Sequence, residues 1–200
     1  KLVLIDTLAK YFSTRHVDFG LLQHLVVSGF YVMLPTALVF LQPDLGSAIL
    51  MLIVWVSIML VSGIRARHLA AVFLIFAVLS GLSWQFFLKD YQKDRVLSFL
   101  APYENPLGSG YNFLQAAIAI GSGGFWGKGL GHGSQSQLNF LPEQHTDFIF
   151  ATMAEEWGFV GVSFVLALWG IIFWRLFLIG LSATTNFARL FVFGFTVLLL

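Results

Sequence analysis

The chain has no cysteine and very few charges: 11 Lys and Arg and 10 Asp and Glu among 200 residues. Without cysteine, no disulfide can staple a segment, so any external loop must be held by packing and hydrogen bonds alone. Charged residues make up 10% of the sequence, against about a quarter in an ordinary soluble domain, which leaves too little polar material to coat a core of this size. The net charge is +1, and no basic run offers the electrostatic footprint of a nucleic-acid partner. There is no signal-peptide pattern after Lys1, no low-complexity tract and no repeat at fixed period.

What is present is apolar material in blocks. Hydrophobic residues account for 58% of the chain, the mean hydropathy is +0.84, and several runs approach the roughly 20 residues that a helix needs to cross a bilayer. The expected fold is all-α, a polytopic transmembrane helical bundle with one long extracytoplasmic loop carrying short helices. The spans are expected at about 21–41, with Pro35 kinking the helix, and at 45–63, 69–88 and 157–174, with a truncated one from about 190. A short apolar helix is expected over Lys1 to Phe12, where Asp6 and Lys10 have i,i+4 spacing. Arg65, Arg67 and His68 read as a connector. Lys1 is not an initiator methionine and the final apolar run is open-ended, so residues 1–200 are expected to be a single integral-membrane domain cut from a larger protein.

Orientation follows from the short loops, which keep Lys and Arg on the cytoplasmic side. Alternating the spans puts Lys10, Arg15, Arg65, Arg67, Arg175 and Arg189 together on that side. The turn at Asp44 and the loop over 89–147 then fall outside. That loop opens with Asp90-Tyr91-Gln92-Lys93-Asp94-Arg95, passes a turn-rich stretch from Pro102 to Gly108, and contains a short apolar helix over Phe113 to Ile120. Seven glycines then lie between Gly121 and Gly133.

A glycine-rich run with a lysine invites a nucleotide phosphate-loop reading, which fails on its register. With Gly127-Lys128 as the Gly-Lys pair, the leading glycine position holds Ser122, and the position after the lysine holds Gly129 rather than Ser or Thr. No Gly-x-Gly-x-x-Gly fits. The glycines leave two readings open: a backbone that approaches a phosphate closely, or a tightly turning surface loop. His132 and His145 are not spaced as metal ligands, His-Glu-x-x-His is missing, and no Gly-x-Ser-x-Gly elbow supports a serine hydrolase.

Three carboxylate positions remain. Asp147, or Thr146 beside it, either caps the following membrane helix or carries chemistry. Asp44, after Gln42-Pro43, has the same two readings at the outer end of the helical hairpin. Glu155 and Glu156 sit two turns into a membrane helix, where a carboxylate is costly unless it lines a wet cavity or snorkels to the edge.

The ordered stretches Gln42-Pro43-Asp44-Leu45-Gly46-Ser47, Gly108-Ser109-Gly110-Tyr111 and Ala119-Ile120-Gly121-Ser122-Gly123-Gly124 resemble the SEDS (shape, elongation, division, sporulation) family of cell-wall polymerases. Gly127-Lys128-Gly129 and Ser134-Gln135-Ser136-Gln137 match it as well, and Phe140 to Ala151 with Glu155-Glu156 is the strongest piece. Gln135-Ser136-Gln137-Leu138 is closer to the rod-shape branch than to the division branch. Trp157 stands where relatives often have leucine.

The resemblance implies a peptidoglycan glycosyltransferase in the bacterial cytoplasmic membrane. It would polymerise lipid II, an undecaprenyl-diphosphate-linked disaccharide-pentapeptide, at the outer face, beside a class B penicillin-binding transpeptidase. The family's essential carboxylate falls on Asp147, and Lys1 matches the last residue of its Ser-Glu-x-x-Lys motif. Substrate-binding roles are implied for Lys1, Lys128, Arg95, Asp44, Gln137, Glu143 and His145. A diphosphate leaves as a good anion, so one carboxylate base suffices for an inverting transfer, with cations neutralising the departing charge. Lys1, Lys128 and Arg95 are the candidate cations; a divalent ion, Mg or Mn, is another, with no ligand set readable. On physical grounds alone a flippase or transporter of lipid-linked precursor remains open, as does a scaffold that only recruits a transpeptidase.

Overall fold

The computed structural model describes residues 1–14, 22–42, 44–64, 66–86, 92–93, 97, 110–134 and 147–200. Regular structure among the described residues is entirely helical: α1 (Leu2–Thr14), α2 (Leu22–Leu41), α3 (Leu45–Val61), α4 (Ala66–Phe86), α5 (Tyr111–Ser122), α6 (Ile149–Ser182) and α7 (Asn186–Leu199). The chain forms two compact units, Lys1–Ser83 with Ile172–Leu200, and Trp84–Ile171.

In the first unit, α1 packs against α7 and α3, and α2 packs against α3. The buried residues of α1 are Leu4, Ile5, Leu8, Ala9 and Phe12, the one-face spacing of an amphipathic helix. They meet Val54, Trp55, Ile58 and Met59 of α3 and Leu190 of α7. Gly194 of α7 lets this packing close, because a Cβ there would crowd Ile5 and Ile58. Pro35 lies inside α2, and the helix continues through it.

The outward surface is the reverse of a soluble protein's. Val26, Phe30, Leu34, Leu38 and Leu41 form an exposed stripe along α2, and Phe73, Leu74, Ile75 and Phe76 of α4 are all exposed. So much exposed apolar surface marks contact with lipid or with other helices rather than with water. Three helices, over His24–Leu41, Arg67–Phe86 and Ile149–Ser182, are long and apolar enough to cross a membrane. The protein is a multi-pass membrane protein.

One polar contact lies deep in this unit. The Trp55 indole N–H donates to Ser28 Oγ at 3.1 Å, with both residues buried. Ser28→Ala is expected to leave that N–H without its acceptor at a cost of about 1 kcal/mol, the scale of such bonds in membrane interiors. A lower unfolding temperature in detergent is the readout.

Two boundaries differ from the sequence expectation. The second span ends at Val61, with Ser62 as C-cap and Gly63 at φ 80°, so α3 has 17 residues rather than running to Gly63. Arg67 and His68 are not connector but the first turn of α4, because the left-handed Gly63 reverses the chain early enough for a helix to start at Ala66. The span expected at about 157–174 lies within α6, which has 34 residues and begins at Ile149, so Glu155 and Glu156 stand two turns into it, as expected of a helix that follows Asp147. The Glu155-Glu156 pair interrupts the apolar run without interrupting the helix. Asp6 and Lys10 form no ion pair; among the described residues the ion pair is Lys128–Glu155.

Candidate functional site

The second unit carries the glycine loop and the start of α6. Within α6, Gly158 takes φ 65° and ψ −164°, a conformation reserved almost entirely for glycine, and breaks the helix there. In an unbroken helix the Phe159 and Val160 amides would donate to the carbonyls of Glu155 and Glu156, four residues back. The glycine loop takes up all four groups instead. Lys128 N–H donates to Glu155 O and Gly129 N–H to Glu156 O, each at 3.0 Å. Phe159 N–H donates to Gly124 O at 2.9 Å and Val160 N–H to Phe125 O at 3.2 Å. Buried backbone groups must be paired, and the loop satisfies those that the break frees.

Such insertion demands backbone-to-backbone approach. A Cβ on Gly123 would overlap the Ala154 carbonyl, one on Gly127 the Glu156 carbonyl, and one on Gly158 the Gly127 nitrogen. Of the two readings left open for this loop, the close approach is real, but its target is helix backbone. The amides of Gly127, Lys128, Gly129 and Gly131 donate to Gly123 O, Glu155 O, Glu156 O and Glu156 Oε1 respectively, which leaves no cradle of these amides for a phosphate.

Side chains complete the junction. The Glu155 side chain is fully buried, and Lys128 Nζ donates to its Oε1 at 2.8 Å from a side chain that is 30% exposed. Lys128 Nζ also donates to Ser134 Oγ at 3.0 Å, and Ser134 Oγ donates to Glu155 Oε1 at 3.3 Å. Ser122, at the end of α5, reaches the same carboxylate oxygen at 3.5 Å. A buried carboxylate is tolerated only when paired and hydrogen-bonded, and this one is both. Glu155 is thus neither snorkelling nor open to a wet cavity. Sequence reading singled it out as costly but gave it no role; the signal that pointed to its partner was a lone lysine within the glycine run.

Asp147 lies in the turn that opens α6 and is exposed. The first helical bond there runs from Thr152 N–H to the Phe148 carbonyl, so the capping position is Phe148 and Asp147 stands one residue outside it. Its carboxylate therefore sits beside the positive end of a helix without being the N-cap residue itself. Lys128 belongs to this same unit. Asp44 is in the first unit and caps α3, its Oδ1 accepting from Ser47 N–H at 3.0 Å. Lys1, also in that unit, is exposed, and its carbonyl accepts the first bond of α1, from Ile5. Arg95, Gln137, Glu143 and His145 lie outside the described residues. Among the described residues no three His, Asp or Glu side chains converge as a metal-ligand set, and no residue is assigned to a divalent ion.

Comparison with known proteins agrees across sequence and structure. The family model described as cell cycle protein, for FtsW, RodA and SpoVE, matches residues 1–200. The peptidoglycan glycosyltransferase MrdB of Escherichia coli K12 is 44% identical over 168 residues, 84% of this chain and 45% of MrdB. Stage V sporulation protein E of Bacillus subtilis 168 is 36% identical over 184 residues, 92% of this chain and 50% of that protein. One solved chain, from work described as structural coordination of polymerization and crosslinking by a peptidoglycan synthase complex, superposes with a TM-score of 0.75 at 32% identity. The match covers 98% of this chain and 53% of that one. The chain thus spans about half the length of the curated relatives it matches. With a family model matched from end to end and motifs in the family's order, the chain belongs to the FtsW/RodA/SpoVE family of cell cycle proteins, the SEDS family.

Proposed function

We propose that the protein is a peptidoglycan glycosyltransferase that polymerises lipid II at the outer face of the bacterial cytoplasmic membrane, in the service of cell elongation and rod shape. The observation that carries this reading is an exposed carboxylate, Asp147, at the mouth of a membrane helix in a chain 44% identical to MrdB, a protein named for this activity. Asp147 is the general base. It takes the proton from the acceptor sugar hydroxyl as that oxygen attacks the anomeric carbon of the donor, and the lipid diphosphate leaves with the electron pair of the broken bond. No general acid is needed, because the diphosphate is already a stable anion. Lys1 and Lys128 are the described cations proposed to neutralise it, with Arg95 as a third, and electrostatic stabilisation of developing charge is usually the largest catalytic term. Lys128 spends two donors on Glu155 and Ser134, and an ammonium has a third to offer.

Substrate-binding roles for Asp44, Gln137, Glu143 and His145 are part of the same proposal. The similarity to a chain of a complex described as coordinating polymerization and crosslinking supports a class B penicillin-binding transpeptidase as the partner.

The test is lipid II supplied to the purified protein in detergent, where no second compartment exists. Glycan strands are the expected product. Absence of glycan, together with scrambling of lipid-linked sugar in vesicles, would replace the polymerase with a flippase.

A further inference from the structure

We propose that Glu155 is a positioning residue for this reaction: paired with Lys128, it locks the glycine loop into the break of α6 and so sets the direction of the helical segment that follows Asp147. The inference rests on the polymerase reading, in which Asp147 is the base.

The physical case is a lever. Gly158 divides α6, so the turn and helix from Asp147 to Trp157 are not held in line by continuous helical bonding with the residues after it. What holds the angle is the inserted loop, through its four backbone bonds and the backbone contacts of Gly123 and Gly127. The donors and acceptors at the break have a second complete pairing, the ordinary helical one, so the loop needs a further attachment to keep its place. Glu155 supplies it. Its carboxylate gathers Lys128 and Ser134 from the loop and Ser122 from α5 on one buried oxygen.

Asp147 stands eleven residues from the break, on the order of 16 Å at 1.5 Å per residue, so a change of about 10° at Gly158 moves its carboxylate by roughly 3 Å. A misplacement of about 1 Å at a reacting group can cost on the order of 10²-fold in rate. The base is thereby sensitive to a residue that never touches substrate.

The experiment uses the full-length protein in nanodiscs; residues 1–200 contain no cysteine, and any cysteine outside them is replaced by serine. Spin labels at Ile149→Cys and Leu166→Cys, both exposed positions on opposite sides of the break, report the angle as a distance distribution. Glu155→Gln keeps the shape and removes the charge. The expected result is a shifted or broadened distance, and kcat lower by on the order of 10²-fold with KM for lipid II nearly unchanged. Because Lys128→Met alone strands a buried carboxylate and can unfold the protein, the paired variant Lys128→Met with Glu155→Leu gives the second arm. It is expected to remain folded and to show the same distance change. An unaltered distance in Glu155→Gln overturns the proposal whether or not kcat falls, as does an altered distance with wild-type kcat. If the wild type makes no glycan while its distance still shifts on Glu155→Gln, the polymerase reading fails and the lock stands.

Discussion

Asp147→Asn is expected to abolish glycan polymerisation, with a loss on the order of 10²–10⁴-fold, the usual contribution of a general base, while the protein folds and inserts as before. Asparagine matches aspartate in size and retains a hydrogen-bonding oxygen, so it removes the charge and the basicity and little else. Folding tolerates the change because Asp147 is exposed and stands outside the capping position of α6, which falls on Phe148. The energetic loss at the helix terminus is a fraction of the macrodipole interaction, about 0.3–1 kcal/mol at most. The measurement is single-turnover polymerisation of lipid II by purified protein, with detergent-extracted yield and thermal unfolding as the folding control. Wild-type-like synthesis by the Asn variant removes Asp147 from the chemistry, and a variant that fails to insert makes it a structural residue instead.

Most of the membrane architecture was legible in the sequence because lipid imposes so few options. Apolar blocks over 21–41 and 69–88 correspond to α2 and α4 within a few residues. The short helix expected over Phe113 to Ile120 is α5, extended by two residues at each end. Hydropathy is silent on how a charge is accommodated. Glu155-Glu156 bound the apolar run from 157, and the helix that follows Asp147 carries them two turns in, as expected, but the run of hydrophobic residues does not reveal what pairs with Glu155. A paired, buried carboxylate costs a helix little, and its partner Lys128 lies 27 residues earlier, a separation at which no periodicity operates.

The site was legible in a different way. Asp147 came from a motif match rather than from physical pattern, since the residues alone left a cap and a catalytic carboxylate open. The structure narrows the cap reading by setting Asp147 one residue outside the capping position of α6, and it shows that Asp44 caps α3. For the glycine loop, sequence established that backbone would come close to something. Its partner turned out to be the backbone of α6, and backbone pairing between distant segments leaves no side-chain signature beyond the glycines themselves. Gly158, one glycine in an apolar helix, gave no hint of its left-handed φ.

That pairing yields a second large effect, at Gly127. Gly127→Ala is expected to expel the loop from the helix break, at a cost of about 3–5 kcal/mol, because three penalties fall together. The φ of 78° costs an alanine roughly 1–2 kcal/mol. The added Cβ overlaps the backbone at Glu156 and Trp157, and neither residue can retreat without breaking the bonds from Lys128 and Gly129. Four loop-to-helix hydrogen bonds are then lost, each worth about 0.5–1.5 kcal/mol net, and α6 recovers at most two of them by straightening. Gly121→Ala is the matched control: this helical position in α5 has nothing near its Cβ, so alanine there is neutral or stabilising by up to about 1 kcal/mol. Amide hydrogen exchange at Lys128, Gly129, Phe159 and Val160 separates the two variants, with acceleration on the order of 10²-fold or more for Gly127→Ala, one decade per 1.4 kcal/mol. Equal protection in both would mean that the loop does not hold the break open, and the coupling between Glu155 and Asp147 would lose its physical basis.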